Sequence, residues 1–288
     1  MILDSTPLYP EGGGQVGDAG LIEASGSVFV VEDTQKHAQA ILHFGYVRSG
    51  TFALEQKVVA AVDPARQAIR CNHSATHLLH QALRQILGEH ITQKGSLVSA
   101  EHLRFDFSHP QAIAANELEA IEIMINTAIR NNVALQTEVG SLEDAQNAGA
   151  MALFGEKYDD EVRIVTMGNF SKEVCGGTHV NATGDIGCFK ILSESASAQG
   201  VRRIEALTGR KAMDYMRLQI ERMQQIGTTL KTHIGNVNER VALLLNDNKN
   251  LQRQCADLKQ QLTQFQGDDL LSKAKQVGHV NVMAEVLD

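Results

Sequence analysis

Two short motifs, roughly a hundred residues apart in a chain of 288, limit how this sequence can fold. The first is Asn72-His73-Ser74-Ala75-Thr76-His77 and the second is Cys175-Gly176-Gly177-Thr178-His179. An H-x3-H spacing inside a helix puts both imidazoles on one face, close enough to share an ion. Two glycines make a helix improbable between Cys175 and His179, so that segment reads as a tight turn aiming a thiolate and an imidazole at one point. Three nitrogens and one sulfur suit Zn2+. If one ion is shared, a helix and a distant turn must meet across the fold.

Each motif also has a plainer reading. The two histidines can be a pair facing the core, and His80, three residues past His77, shares their face, so spacing does not decide which two bind. Cys175 and His179 can be a buried thiol beside a turn histidine, or a Cys–His nucleophilic pair. Both motifs occurring in one chain favours the metal. Four protein ligands would close a tetrahedral shell. Catalysis would then need a labile ligand, an expanded shell or a metal that only positions substrate.

The rest of the chain predicts an α+β fold in four parts. Residues 1–62 read as a small β-barrel-like module, with strands at Val28–Val31, Ala40–Phe44 and Lys57–Val62. Residues 63–209 read as the zinc-bearing α+β domain. Asp63-Pro64 is expected to cap a helix running to Leu87 and ending at Gly88. Leu103–Phe107 and Val162–Val165 read as strands, and 116–131 as a helix burying Leu118, Ile121, Ile125 and Ile129. From Arg210 the composition turns to Gln, Leu, Lys and Asn. Met216, Met223, Leu230, Val237, Leu244, Leu251, Leu258 and Phe265 recur every seven residues, as in a coiled-coil seam. Breakers clustered between Gly227 and Asn238 argue instead for two helices, 210–230 and 237–266, folded as an antiparallel hairpin. Gly267-Asp268-Asp269 is expected to end the second, and 267–288 to be the truncated start of a further domain.

Composition excludes several classes. No apolar run reaches transmembrane length and the first residues carry no secretory signal, so no membrane partner and a cytoplasmic location are expected. Four irregularly spaced cysteines fit reduced thiols or a metal site. The net charge of −8 argues against bulk electrostatic grip on nucleic acid. Its distribution is sharper: residues 1–209 carry 15 basic and 25 acidic side chains, and residues 210–288 carry 11 and 9.

Gly12, Gly14 and Gly17 spell G-x-G-x-x-G. The run follows Pro10-Glu11 and enters Gly17-Asp18-Ala19-Gly20, where no helix starts well, so the dinucleotide reading fails. Its glycines are instead expected to let the backbone approach a ligand or another strand.

With these residues in view, the sequence resembles the editing part of the alanyl-tRNA synthetase family. Thr6-Pro7-Leu8-Tyr9 with Gly13-Gly14-Gln15, NHSATHLLHQAL (72–83), QKGSLV (93–98), RFDFSH (104–109), GAMALFGEKY (149–158), EVCGGTHV (173–180) and GVRRIEALTG (200–209) carry the resemblance. It covers roughly residues 1–209, with Leu8 in place of the usual aromatic and Gly12 in place of a common serine. The resemblance implies hydrolysis of tRNA(Ala) wrongly charged with serine or glycine. An alanine pocket cannot exclude smaller glycine and rejects an added hydroxyl only ~100-fold by shape, so a second sieve is needed.

It also implies one zinc held by His73, His77, Cys175 and His179. Gln93 would line the editing pocket and Thr6 would supply the hydroxyl that recognises serine; apart from the resemblance, these are a loop amide and a strand hydroxyl. Gly13, Gly14 and Gln15 are candidate substrate contacts. Arg202 and Arg203 are candidates for RNA phosphate, with structural ion pairing an equal alternative. The ATP-dependent activation domain is expected to lie wholly outside this chain. A freestanding editing deacylase and a non-catalytic zinc module dimerising through residues 210–266 are the competing readings.

Overall fold

The computed structural model describes residues 1–147, 149–151, 161–272 and 274–283. It divides into two compact units, Met1–Met216 and Arg217–Asp288.

The first unit opens with four antiparallel strands, β1 (Gly20–Ala24), β2 (Ser27–His37), β3 (Ala40–Ser49) and β4 (Val59–Val62), in the order β3-β2-β1-β4. Along β2 the alternation buries Ser27, Phe29 and Val31, and a register shift between Val31 and Asp33 makes Thr34 the next buried position. Leu8, Ile22, Phe29 and Val31 form the core beneath this sheet. The expected barrel-like closure is corrected: the sheet is open, ending at β3 and β4, because four strands are too few to wrap an interior. The first residues lie along β3, where the Met1 amino group donates to the His43 carbonyl (2.7 Å).

Helix α1 (Arg66–Leu87) follows. Asp63-Pro64 do not cap it directly. They form a lead-in turn in which Arg66 N–H donates to Asp63 O, and the Asp63 carboxylate takes the Ala65 N–H (2.7 Å). After it come β5 (Gln93–Val98), β6 (Leu103–Ser108), α2 (Ala115–Arg130), β7 (Leu135–Ser141), α3 (Leu142–Asn147), β8 (Glu161–Met167), β9 (Ser171–Val174), a 3-10 turn at Thr183–Ile186, β10 (Phe189–Ala198) and β11 (Val201–Thr208). These strands make two further antiparallel sheets, β10-β11-β6-β5 and β7-β8-β9. In α2, Ile121, Ile125 and Ile129 are buried and Leu118 packs against the same core, as the helical period predicts. Most of the motif at 149–158 lies outside the described residues.

The main core sits between α1 and the larger of these sheets. Leu78, Leu79, Ala82 and Leu83 of α1 meet Phe105 and Phe107 of β6, Ile121 and Ile125 of α2, and Ile204 of β11. From Cys71 to His80 every residue of α1 is buried, so its other faces must be satisfied by polar partners. Asn72 provides one such link, donating to Ser99 O (2.8 Å) and accepting from the Thr208 hydroxyl (2.7 Å).

Beyond this lie α4 (Gly209–Thr229), within which the boundary between the units falls, a 3-10 turn at Ile234–Asn236, α5 (Val237–Ser272), and a hairpin of β12 (Lys275–Val277) and β13 (Val280–Val282). The helix break falls where the glycines and asparagines place it. Two expectations are corrected. Helix α5 continues through Gly267-Asp268-Asp269 to Ser272, since one interior glycine costs a helix only ~1 kcal/mol. The seam of α5 is also not closed as a hairpin: Val241, Leu244, Leu251, Leu258, Leu262 and Phe265 are all exposed.

Candidate metal centre

His73 and His77 project from one face of α1, their rings stacked with centroids 5.2 Å apart. Strand β9 ends at Val174, and the turn that follows folds Cys175 and His179 back onto that face. One donor atom from each of His73, His77, Cys175 and His179 lies within 4.8 Å of the other three. The Cys175 Sγ stands 3.4 Å from His73 Nε2 and 3.3 Å from His179 Nε2. Bond lengths usual for zinc give a tetrahedral N···S edge of ~3.6 Å, so the set fits this ion. His80, which spacing could not separate from the ligands, falls outside the cluster. It rests against Phe105 with its Nδ1 3.4 Å from a Glu173 oxygen.

Each imidazole is held from behind. The Gln15 amide oxygen accepts the Thr178 N–H (2.9 Å), which fixes the amide's orientation. His73 Nδ1, 2.7 Å from the same oxygen, is therefore the donor, and its Nε2 lone pair faces the centre. His77 Nδ1 donates to Glu173 Oε2 (2.6 Å), while its buried Nε2 has no hydrogen-bond partner among the described residues. His179 Nδ1 meets the Ser74 hydroxyl (3.1 Å), which also accepts the Val180 N–H. Such outer partners fix the tautomer and orientation of metal-binding histidines. Glu173 and Ser74 carry no sequence signal of this role, because each meets its histidine only through the folded chain.

The electrostatics favour the ligand forms of Cys175 and His179. Burial alone would push the Cys175 thiol up, but the facing His73 and His77 and the bonds from His179 and His73 hold it well below its usual range. Burial, with His73 alongside, lowers His179 to about 3 and keeps it neutral. Burial opposes charge on His77 too. There the Glu173 carboxylate and the Cys175 sulfur prevail and raise it well above the ordinary value.

The turn itself depends on Gly177. A Cβ at this position would stand 2.0 Å from His73 Cε1, whereas one at Gly176 would meet nothing within 4 Å. Arg163 braces the turn by donating to the carbonyls of Cys175 and Gly177.

The remaining sequence candidates sit on the segment before β1 and on β5 and β11. Gly13 (φ +57°) and Gly14 (φ +81°) form the tip of a turn closed by Gly12 and Gln15, and Gly14 O accepts the Val98 N–H of β5 (2.7 Å). Gln15, fully buried, thus serves His73 from behind. The Thr6 hydroxyl is 2.8 Å from His43 Nε2. Gln93 opens β5, paired with Phe107. Arg202 is bidentate to Glu194 (2.5 and 2.7 Å) and Arg203 to Asp106 (2.6 and 2.9 Å), so both guanidinium groups meet carboxylates.

Comparison with known proteins bears on this geometry. Residues 162–205 match the family described as "Threonyl and Alanyl tRNA synthetase second additional domain", and residues 1–66 match "tRNA synthetases class II (A)". The second match corrects the expectation that nothing of the synthetase's activation region lies in this chain. The alanine–tRNA ligase of Shewanella loihica is 49% identical over the whole chain, which covers 33% of that protein. Those of Pseudoalteromonas translucida and Colwellia psychrerythraea are each 50% identical over 98% of the chain, covering 33% and 32% of their lengths. The chain therefore spans about a third of the length of the curated relatives it matches. With about 50% identity along its full length, the chain is a homologue of one segment of the alanine–tRNA ligases.

Proposed function

We propose that this chain carries a hydrolytic editing site that cleaves the ester joining serine or glycine to tRNA(Ala). The observation that carries the reading is the buried convergence of His73, His77, Cys175 and His179, partly within the segment that matches the synthetases' second additional domain. A zinc ion held by these four residues supplies Lewis acidity and an anchor for the substrate's amine. Gln15 and Glu173 take the Nδ1 protons of His73 and His77, which turns their Nε2 atoms inward, and Ser74 holds the His179 ring in place. Thr6 is assigned to the serine hydroxyl and Gln93 to the pocket wall. Water adds to the ester carbonyl carbon, the bond to the ribose oxygen breaks, and that oxygen takes a proton. The partner is the acceptor end of tRNA(Ala), and the compartment is the cytoplasm. We assign the exposed seam of α5 to a second copy of the chain, which light scattering with and without residues 210–288 would test.

The reading is tested by incubating purified chain, with its zinc content measured on the same sample, with Ser-, Gly- and Ala-tRNA(Ala). It expects hydrolysis of the first two and sparing of the third. A closed shell of four protein ligands favours one rival, a structural zinc module. Fully loaded chain that leaves Ser-tRNA(Ala) intact, yet unfolds on chelation, establishes the rival instead.

A further inference from the structure

The face of α1 that carries two metal ligands extends beyond them in both directions. At about 100° per residue, Arg66, Arg70, His73, His77, His80 and Arg84 fall on one stripe. Nearly all have protein partners. Arg66 meets the Asp18 carboxylate and the Pro7 carbonyl. His73 has Gln15, and His77 has Glu173, with His80 near the same carboxylate. Arg84 donates to the Glu89 and Ile91 carbonyls.

Arg70 differs. It is half-buried, and its buried Nε has no hydrogen-bond partner among the described residues. No carboxylate among those residues is paired with it, and Arg66 lies close enough for the two like charges to oppose each other. An unpaired, partly desolvated guanidinium is costly, and an anion relieves that cost.

We propose that Arg70 receives a phosphodiester of the RNA substrate, the one next to the terminal nucleoside that carries the ester. The proposal rests on the editing reading for the identity of that RNA. With the ester at the metal centre, the nearest phosphate lies one nucleoside away. Arg70 stands within one helical turn, ~5 Å along the axis, of His73 on the same face. The planar guanidinium fork matches phosphate oxygens. In a first part that is acidic as a whole, a single placed cation gives the local grip that net charge does not.

The test compares wild type with Arg70→Gln and Arg70→Lys on two substrates: Ser-tRNA(Ala), and seryl-adenosine, which has no phosphate. Zinc content and melting temperature are measured for each protein. In parallel, an uncharged oligoribonucleotide with the acceptor-end sequence is titrated by fluorescence anisotropy at several salt concentrations. For Arg70→Gln, KM for Ser-tRNA(Ala) should rise about tenfold or more with kcat little changed. Seryl-adenosine kinetics and zinc content should stay as in wild type. Oligonucleotide affinity should fall and its salt slope shrink by ~0.7, with Arg70→Lys intermediate. Equal loss on both substrates, loss of zinc, or an unchanged affinity and slope overturns the proposal. If wild type hydrolyses neither substrate, the editing reading fails, and the oligonucleotide titration still decides whether Arg70 binds phosphate.

Discussion

Two loops reach His73, each through a pair of glycines, and the glycines are there for different reasons. In the turn at Gly12–Gln15, Gly13 and Gly14 have positive φ, which only glycine adopts freely. Gly14 is in addition pressed against Ser96, where a Cβ would lie 2.7 Å from the carbonyl oxygen. In the turn at Cys175–His179 neither glycine has positive φ. There Gly177 is required by space alone, because a metal ligand occupies the volume a side chain would need. One pair serves backbone conformation and the other serves proximity. Identical dipeptides in the sequence are therefore not equivalent in the fold.

Substitutions can break that comparison. Gly177→Ala should have the largest effect: it displaces a ligand, so zinc affinity should drop by more than ~100-fold, read by competition with a chromophoric chelator. Gln15→Leu comes next. It keeps the volume but leaves the His73 Nδ1 proton and the Thr178 N–H unpartnered, and should weaken zinc by roughly 10–100-fold with less change in fold. Gly14→Ala should lower unfolding free energy by about 1–3 kcal/mol through backbone strain and the Ser96 contact, measured by urea denaturation. Gly176→Ala, which faces open space, should change stability by less than ~0.5 kcal/mol and leave zinc in place. If Gly176→Ala and Gly177→Ala behave alike, the steric distinction is wrong.

The centre was readable from sequence where its geometry is local. Spacing of four along a helix puts His73 and His77 on one face, and the two glycines announce the turn from Cys175 to His179. What completes it was not readable. Glu173 looks like any strand carboxylate and Ser74 like any helical hydroxyl, because their partners are brought to them only by the fold. Gln15 stood out beside its glycines, yet its neighbour His73 is 58 positions away. In the fold, residue periodicity served α2 well, since burial follows it directly. It served α5 less well, because a heptad specifies an apolar seam and not what covers it. The β-barrel expectation failed for a related reason: alternation identifies strands, while closure depends on their number and edges.

The bond from Gln15 to His73 has a consequence for how this protein can vary. Gln15 lies in the segment that matches the synthetase family, and Cys175 and His179 in the one that matches the second additional domain. His73 lies in neither, and its proton rests on the first while its lone pair faces the second. A recombination that exchanged residues 1–66 for an unrelated sequence would leave α1 intact and still leave one imidazole without its support. The two segments are thus coupled through the Gln15 amide, and exchanging the first alone would weaken the centre completed by the second.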